Sequence, residues 1–125
     1  DVHRGWLEAE LDAQVFIADL NNASAVAKMA DDQTEGMDRK ILWASLYHEE
    51  SGRNKLTLDF IFNDKVKTML KASTAFLAGK KKFGGRTELR PESVFDGVAR
   101  EVLKARGLSS PIGKIDGQPM SAYKK

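Results

Sequence analysis

The chain of 125 residues has no cysteine, only three prolines and only two histidines. Without cysteine there is neither a disulfide framework nor a thiolate metal site, which fits a reducing compartment. The histidines are His3, near a terminus, and His48, in a polar turn. His48, Glu49 and Glu50 form the densest group of potential metal ligands, but three adjacent residues rarely converge on one ion. No metal and no cofactor are expected. No stretch approaches the ~18 apolar residues of a membrane span. The first residues are charged and lack the apolar core of a signal peptide. A cytoplasmic protein without membrane contact is expected. The chain begins with Asp1 rather than Met, as a trimmed or processed product would.

Catalytic signatures are equally scarce. No serine stands in a Gly-x-Ser-x-Gly context, and no Gly-Lys-Ser/Thr follows a strand as in a Walker phosphate loop. Asp59 has no second acid beside it in sequence. A non-enzymatic protein is expected, and a paired carboxylate site formed only by the fold stays open.

What the chain does have is an uneven distribution of charge. Residues 1–50 carry eleven acids and four bases, and residues 51–125 carry sixteen bases and seven acids. The small net charge of +2 therefore conceals a bipolar molecule. Between residues 65 and 86 stand Lys65, Lys67, Lys71, Lys80, Lys81, Lys82 and Arg86, without a single acid. Such asymmetry points to a polyanionic partner or to an acidic surface on another copy.

Apolar spacing predicts the elements. Trp6, Leu7, Leu11, Val15, Phe16 and Leu20 recur at helical spacing and predict a helix over 4–20, with a short one over 23–30. The apolar run Ile41–Tyr47 and the alternating Lys55–Phe62 predict two strands, about 40–48 and 55–62, joined by a polar glycine-containing turn as an antiparallel hairpin. Trp43 and Tyr47 share one face there, either buried or open as a stacking platform. Asn63 or Asp64 caps a helix over 64–78. Its inner stripe is expected to be Val66, Met69, Leu70, Ser73, Phe76 and Leu77, with Lys67, Lys71 and Thr74 outward. Gly79 is expected to stop it. Pro91 opens a last helix over 91–106. Most of Trp6, Phe16, Trp43, Phe60, Phe62, Phe76 and Phe95 are expected in the core. The result is an α+β fold, one domain over 1–108, with 109–125 as an extended C-terminal tail.

The basic loop Lys80–Arg86 combines cations, two glycines and Phe83. Lysines attract phosphates as mobile point charges, glycines let backbone approach, and Phe83 can stack on a base. Plain solvation of the same lysines is the simpler alternative. The order strand, helix, helix from Lys55 to Gly107 resembles in outline the ribbon-helix-helix DNA-binding family, in which the strand pairs with its dimer mate. Here a preceding strand is predicted to pair with Lys55–Phe62, the inter-helix loop is much longer, and no residue is carried over. A nucleic-acid-binding protein, for DNA or RNA with weak sequence specificity, is expected. It would use Lys67, Lys71, Lys80, Lys81, Lys82, Phe83 and Arg86, with Arg53 and Lys55 as auxiliary contacts, and would dimerise through the hairpin. The alternative is an assembly subunit joining acidic and basic halves of neighbouring copies.

Overall fold

A computed structural model describes residues 2–82 and 84–124. Its elements are α1 (Val2–Ala18), α2 (Ala23–Gln33), α3 (Arg39–Tyr47), β1 (Asn54–Leu58), α4 (Asp64–Gly79), α5 (Gly97–Ala105) and β2 (Gly113–Asp116). Single 3-10 turns occupy Leu20–Asn22, Pro91–Val94 and Met120–Ala122. The fold is α+β: five helices with a two-stranded antiparallel sheet.

The sheet is not the hairpin expected from sequence. Residues 39–47 are helical, because Asp38 caps that segment by accepting from the Lys40 amide at 2.7 Å and α2 packs along it. The strand in 55–62 ends at Leu58, and its partner is β2, with Leu56 opposite Ile115 and Leu58 opposite Gly113. The register slips between Asn54 and Leu56, a bulge-like irregularity. The segment 109–125 is therefore no loose tail over its strand. Ile115 is wholly buried, and Gln118 bonds back to the Tyr47 carbonyl at 2.7 Å. The last helix is shorter than expected. Pro91 starts only a 3-10 turn, and α5 begins at Gly97 after an extended Phe95.

Two apolar clusters hold the body together. In the first, Trp43 and Tyr47 stand one helical turn apart on α3 and are buried with Ala23, Val26, Ala27 and Ile115. The Tyr47 hydroxyl donates to the Ile17 carbonyl at 2.9 Å, so its burial leaves no donor unpaired. Burial raises the Tyr47 phenol to about 12. The open stacking platform is thereby excluded for these two rings. In the second cluster Leu11 of α1 meets Val102 and Leu103 of α5. Arg106–Asp12 at 3.0 Å and Arg4–Glu101 at 3.7 Å bridge the same two helices. Gly117 is required where the chain passes Glu49: a Cβ there would lie 2.1 Å from Glu49 Cβ and 2.8 Å from the Arg53 carbonyl oxygen.

Outside these clusters much apolar surface is uncovered. Trp6 (71% exposed), Phe76 (64%) and Phe95 (70%) were expected inside and lie outside. Only Thr74 of the sixteen residues of α4 is buried. Helix α4 is turned from its expected orientation: Val66 and Leu70 are half-buried as expected, but Thr74 points inward, while Met69, Ser73, Phe76 and Leu77 are exposed. The accessible surface is 8971 Å², about a third above the roughly 6,700 Å² typical of a compact monomer of this mass. Helix α4 and the loop after it thus form a limb beside the packed body.

Candidate nucleic-acid interface

The limb starts with a well-made cap. Asn63 accepts from the Val66 amide at 2.9 Å and donates to Asp59 at 2.6 Å. At the other end the helix stops at Gly79, as expected, and Lys80 and Lys81 close it. The Lys81 amide bonds the Ala78 carbonyl and the Lys82 amide the Leu77 carbonyl, both at 2.9 Å. This paired pattern needs a left-handed residue, and Lys81 supplies it with φ 55°. A β-carbon in that conformation costs about 1 kcal/mol relative to glycine.

Lys67 and Lys71 lie one turn apart and line a groove of about 340 Å³ with Leu89, Arg90, Pro91 and Val94. Arg90 was missed in the sequence because Glu88 closes the acid-free window just before it. It joins the two lysines because the turn at Pro91 lies across the groove from them. The groove therefore has three cations above an apolar wall, a shape suited to a phosphate flanked by an apolar body.

The remaining expected contacts are more dispersed. Lys80 Nζ stands 5.7 Å from the centre of the Phe76 ring, a cation–π arrangement. Lys81, Lys82 and Arg86 are exposed on the loop beyond. Phe83 lies outside the described residues. Arg53 and Lys55 are exposed but belong to the Glu49 turn, whose carboxylate they help to hold below its usual range. The larger causes of that depression are the Ser51 hydroxyl and amide, which donate to Glu49 at 2.7 and 3.0 Å. These two cations are not joined to the groove.

The ion pairs among the described residues take their cations from Arg4, Lys28, Arg39, Arg100 and Arg106. None takes one from residues 65–90. In the body five cations are held by carboxylates. On the limb the cations face solvent or the groove.

Carboxylates gather at one other place. A cleft of about 420 Å³ is lined by Leu7, Phe60, Phe62 and Phe95 together with Asp59 and Asp96. Each acid is already engaged. Asp59 accepts from Ser110 Oγ at 2.7 Å and from Asn63. Asp96 accepts from Arg100 at 2.7 and 3.0 Å and from the Phe62 amide at 3.0 Å. The Arg100 guanidinium holds Asp96 below the usual carboxylate range, helped by the Phe62 amide and by Lys67. Asp96 ties Phe62 to the start of α5 and Asp59 ties Asn63 to Ser110, and together they hold the segment 59–63 from which α4 leaves the body. His48 is likewise occupied, its Nδ1 3.0 Å from the Gln118 carbonyl. Among the described residues no three His, Asp or Glu side chains converge as a metal site. None of their helices is long and apolar enough to cross a membrane.

The ribbon-helix-helix outline ends at β1, which pairs with β2 of its own chain. No protein-family model, curated protein or solved structure matches this chain.

Proposed function

We propose that this protein binds nucleic acid without catalysis, gripping phosphates with the limb from Lys67 to Arg90. The observation that carries this is a contrast in ion pairing: five cations of the body form salt bridges with carboxylates, whereas among the described residues no cation of the limb does, Lys67 acting on Asp96 only at longer range. Desolvating an already paired cation for a phosphate would sacrifice its partner; an unpaired one exchanges only water and counterions. Lys67, Lys71 and Arg90 form the fixed part of the grip in the groove, and Lys80, Lys81, Lys82 and Arg86 extend it along the backbone. Arg53 and Lys55 fall outside this set. Contacts of this kind are electrostatic and carry little sequence information.

Fluorescence anisotropy with labelled single-stranded DNA, duplex DNA and RNA over a salt series tests this. If about five phosphates are neutralised, log K falls against log salt with a slope of roughly −4. The triple variant Lys67→Ala, Lys71→Ala, Arg90→Ala is expected to flatten that slope by about 2–3, while Lys114→Ala on the body leaves it unchanged. Absence of binding to all three probes at low salt would overturn the assignment.

A further inference from the structure

The exposed apolar residues are not scattered. On α1 and the turn after it, Val2, Trp6, Ala9, Ala13, Phe16 and Leu20 are all exposed. Their spacing is four, three, four, three, four, the repeat that keeps one seam along a helix. The inward side of α1 is a different stripe, Leu7, Leu11 and Ala18, which already meets the body. Helix α4 carries a second such seam: Lys65, Met69, Ala72, Phe76 and Gly79, spaced four, three, four, three, all exposed. The helices are of nearly equal length, seventeen and sixteen residues, about 25 Å each.

The two seams differ in charge. That of α1 is flanked by Glu10 and Asp19, with Asp12 beside them held by Arg106 of the same chain. That of α4 starts with Lys65 and ends at Lys80, Lys81 and Lys82, with no acid between residues 65 and 86. Seam α1 against α1 would set acids against acids, and α4 against α4 lysines against lysines. Only α1 against α4 matches apolar to apolar and acid to base. Both seams face away from the body of their own chain, so the match requires another chain.

We infer that the occupant is a second copy: α1 of one molecule packs along α4 of the next. The excess accessible surface noted above is of the size that a stable interface between copies buries. Lys67 and Lys71 lie on the other side of α4, so this contact leaves the phosphate groove with Arg90 open, while Lys80, Lys81 and Lys82 are shared between the two contacts. The acid–base match makes the contact weaken with salt.

The test uses nuclease-treated protein in sedimentation velocity from about 1 to 300 μM, covering micromolar affinities. The wild type is expected to form species heavier than the monomer that dissociate with dilution and with added salt. Trp6→Asp and Phe76→Asp, at two exposed sites, are each expected to be monomeric, with an unchanged circular dichroism spectrum. Mixed one to one, they restore a heterodimer, because the intact α4 of the first meets the intact α1 of the second. A wild type that stays monomeric throughout overturns the inference. So does a Phe76→Asp variant that still self-associates, since this indicates α1 against α1. Mixed variants that remain monomers overturn it as well.

Discussion

Trp43 and Phe76 each lie on a helix built on an amphipathic pattern, and they have opposite fates. Trp43 is buried against Tyr47 at a ring separation of 6.0 Å and edge-on to Tyr123 at 5.7 Å. Phe76 faces solvent with Lys80 beside its ring. The difference is not in the helices but in what covers them. Residues 23–27 and 115–123 close over α3, while α4 buries only Thr74. Body and limb therefore obey different rules. In the body side chains carry stability, and on the limb they are available for contacts with other molecules.

The largest expected effect separates the two directly. Trp43→Ala removes a fully packed ring and should cost about 3–5 kcal/mol in urea unfolding. Phe76→Ala, an exposed substitution, should stay within about 0.5 kcal/mol in dilute protein. Equal losses would mean that the limb is part of the core and would erase the distinction.

A second measurement sharpens the description of the body through pH. Tyr47 keeps its proton to about pH 12 when folded, whereas an unfolded tyrosine ionises near 10. Above pH 10 the unfolded chain binds fewer protons than the native one, so stability falls as pH rises from about 10 to 12, by up to about 1.4 kcal/mol per unit. Stability curves at pH 9 and 11 should diverge less in Tyr47→Phe than in the wild type. An identical divergence would show that the Tyr47 phenol does not contribute it.

The smallest effect concerns the limb. Lys81→Gly relieves the left-handed lysine and should stabilise by about 0.5–1 kcal/mol. The same change should weaken nucleic-acid binding by removing one cation. A residue whose loss helps folding and harms binding is the signature expected of the limb; a variant that weakens both would blur it.

The sequence conveyed the class of the fold and the position of most helices, because caps such as Asn63 and the Leu7–Leu11 spacing of α1 are local, although Trp6, Val15, Phe16 and Leu20 of the expected α1 stripe are exposed. The seven-residue run Ile41–Tyr47 was ambiguous in principle: residues four apart share a face at period 2 and very nearly so at 3.6, so the pairing of Trp43 with Tyr47 suited either state. Asp38 held the deciding signal as an N-cap. The pairing of β1 with β2 was not legible, since residues 59–112 intervene and no turn signal links the strands. The orientation of α4 was misjudged because an apolar stripe was assumed to face its own body. Of the expected site, Lys67 and Lys71 were brought together with an unforeseen Arg90, while Arg53 and Lys55 were separated from them by the fold of the chain around Glu49.

The strand that seals the first core cluster also sets a timetable. As the polypeptide emerges from the ribosome, Trp43 and Tyr47 appear long before Ile115, Met120 and Tyr123, which cover them. Closing so long a loop is slow relative to local helix formation. The nascent molecule therefore passes through a stage with formed helices and an uncapped aromatic cluster, and its final shape is reached only once the last strand is released.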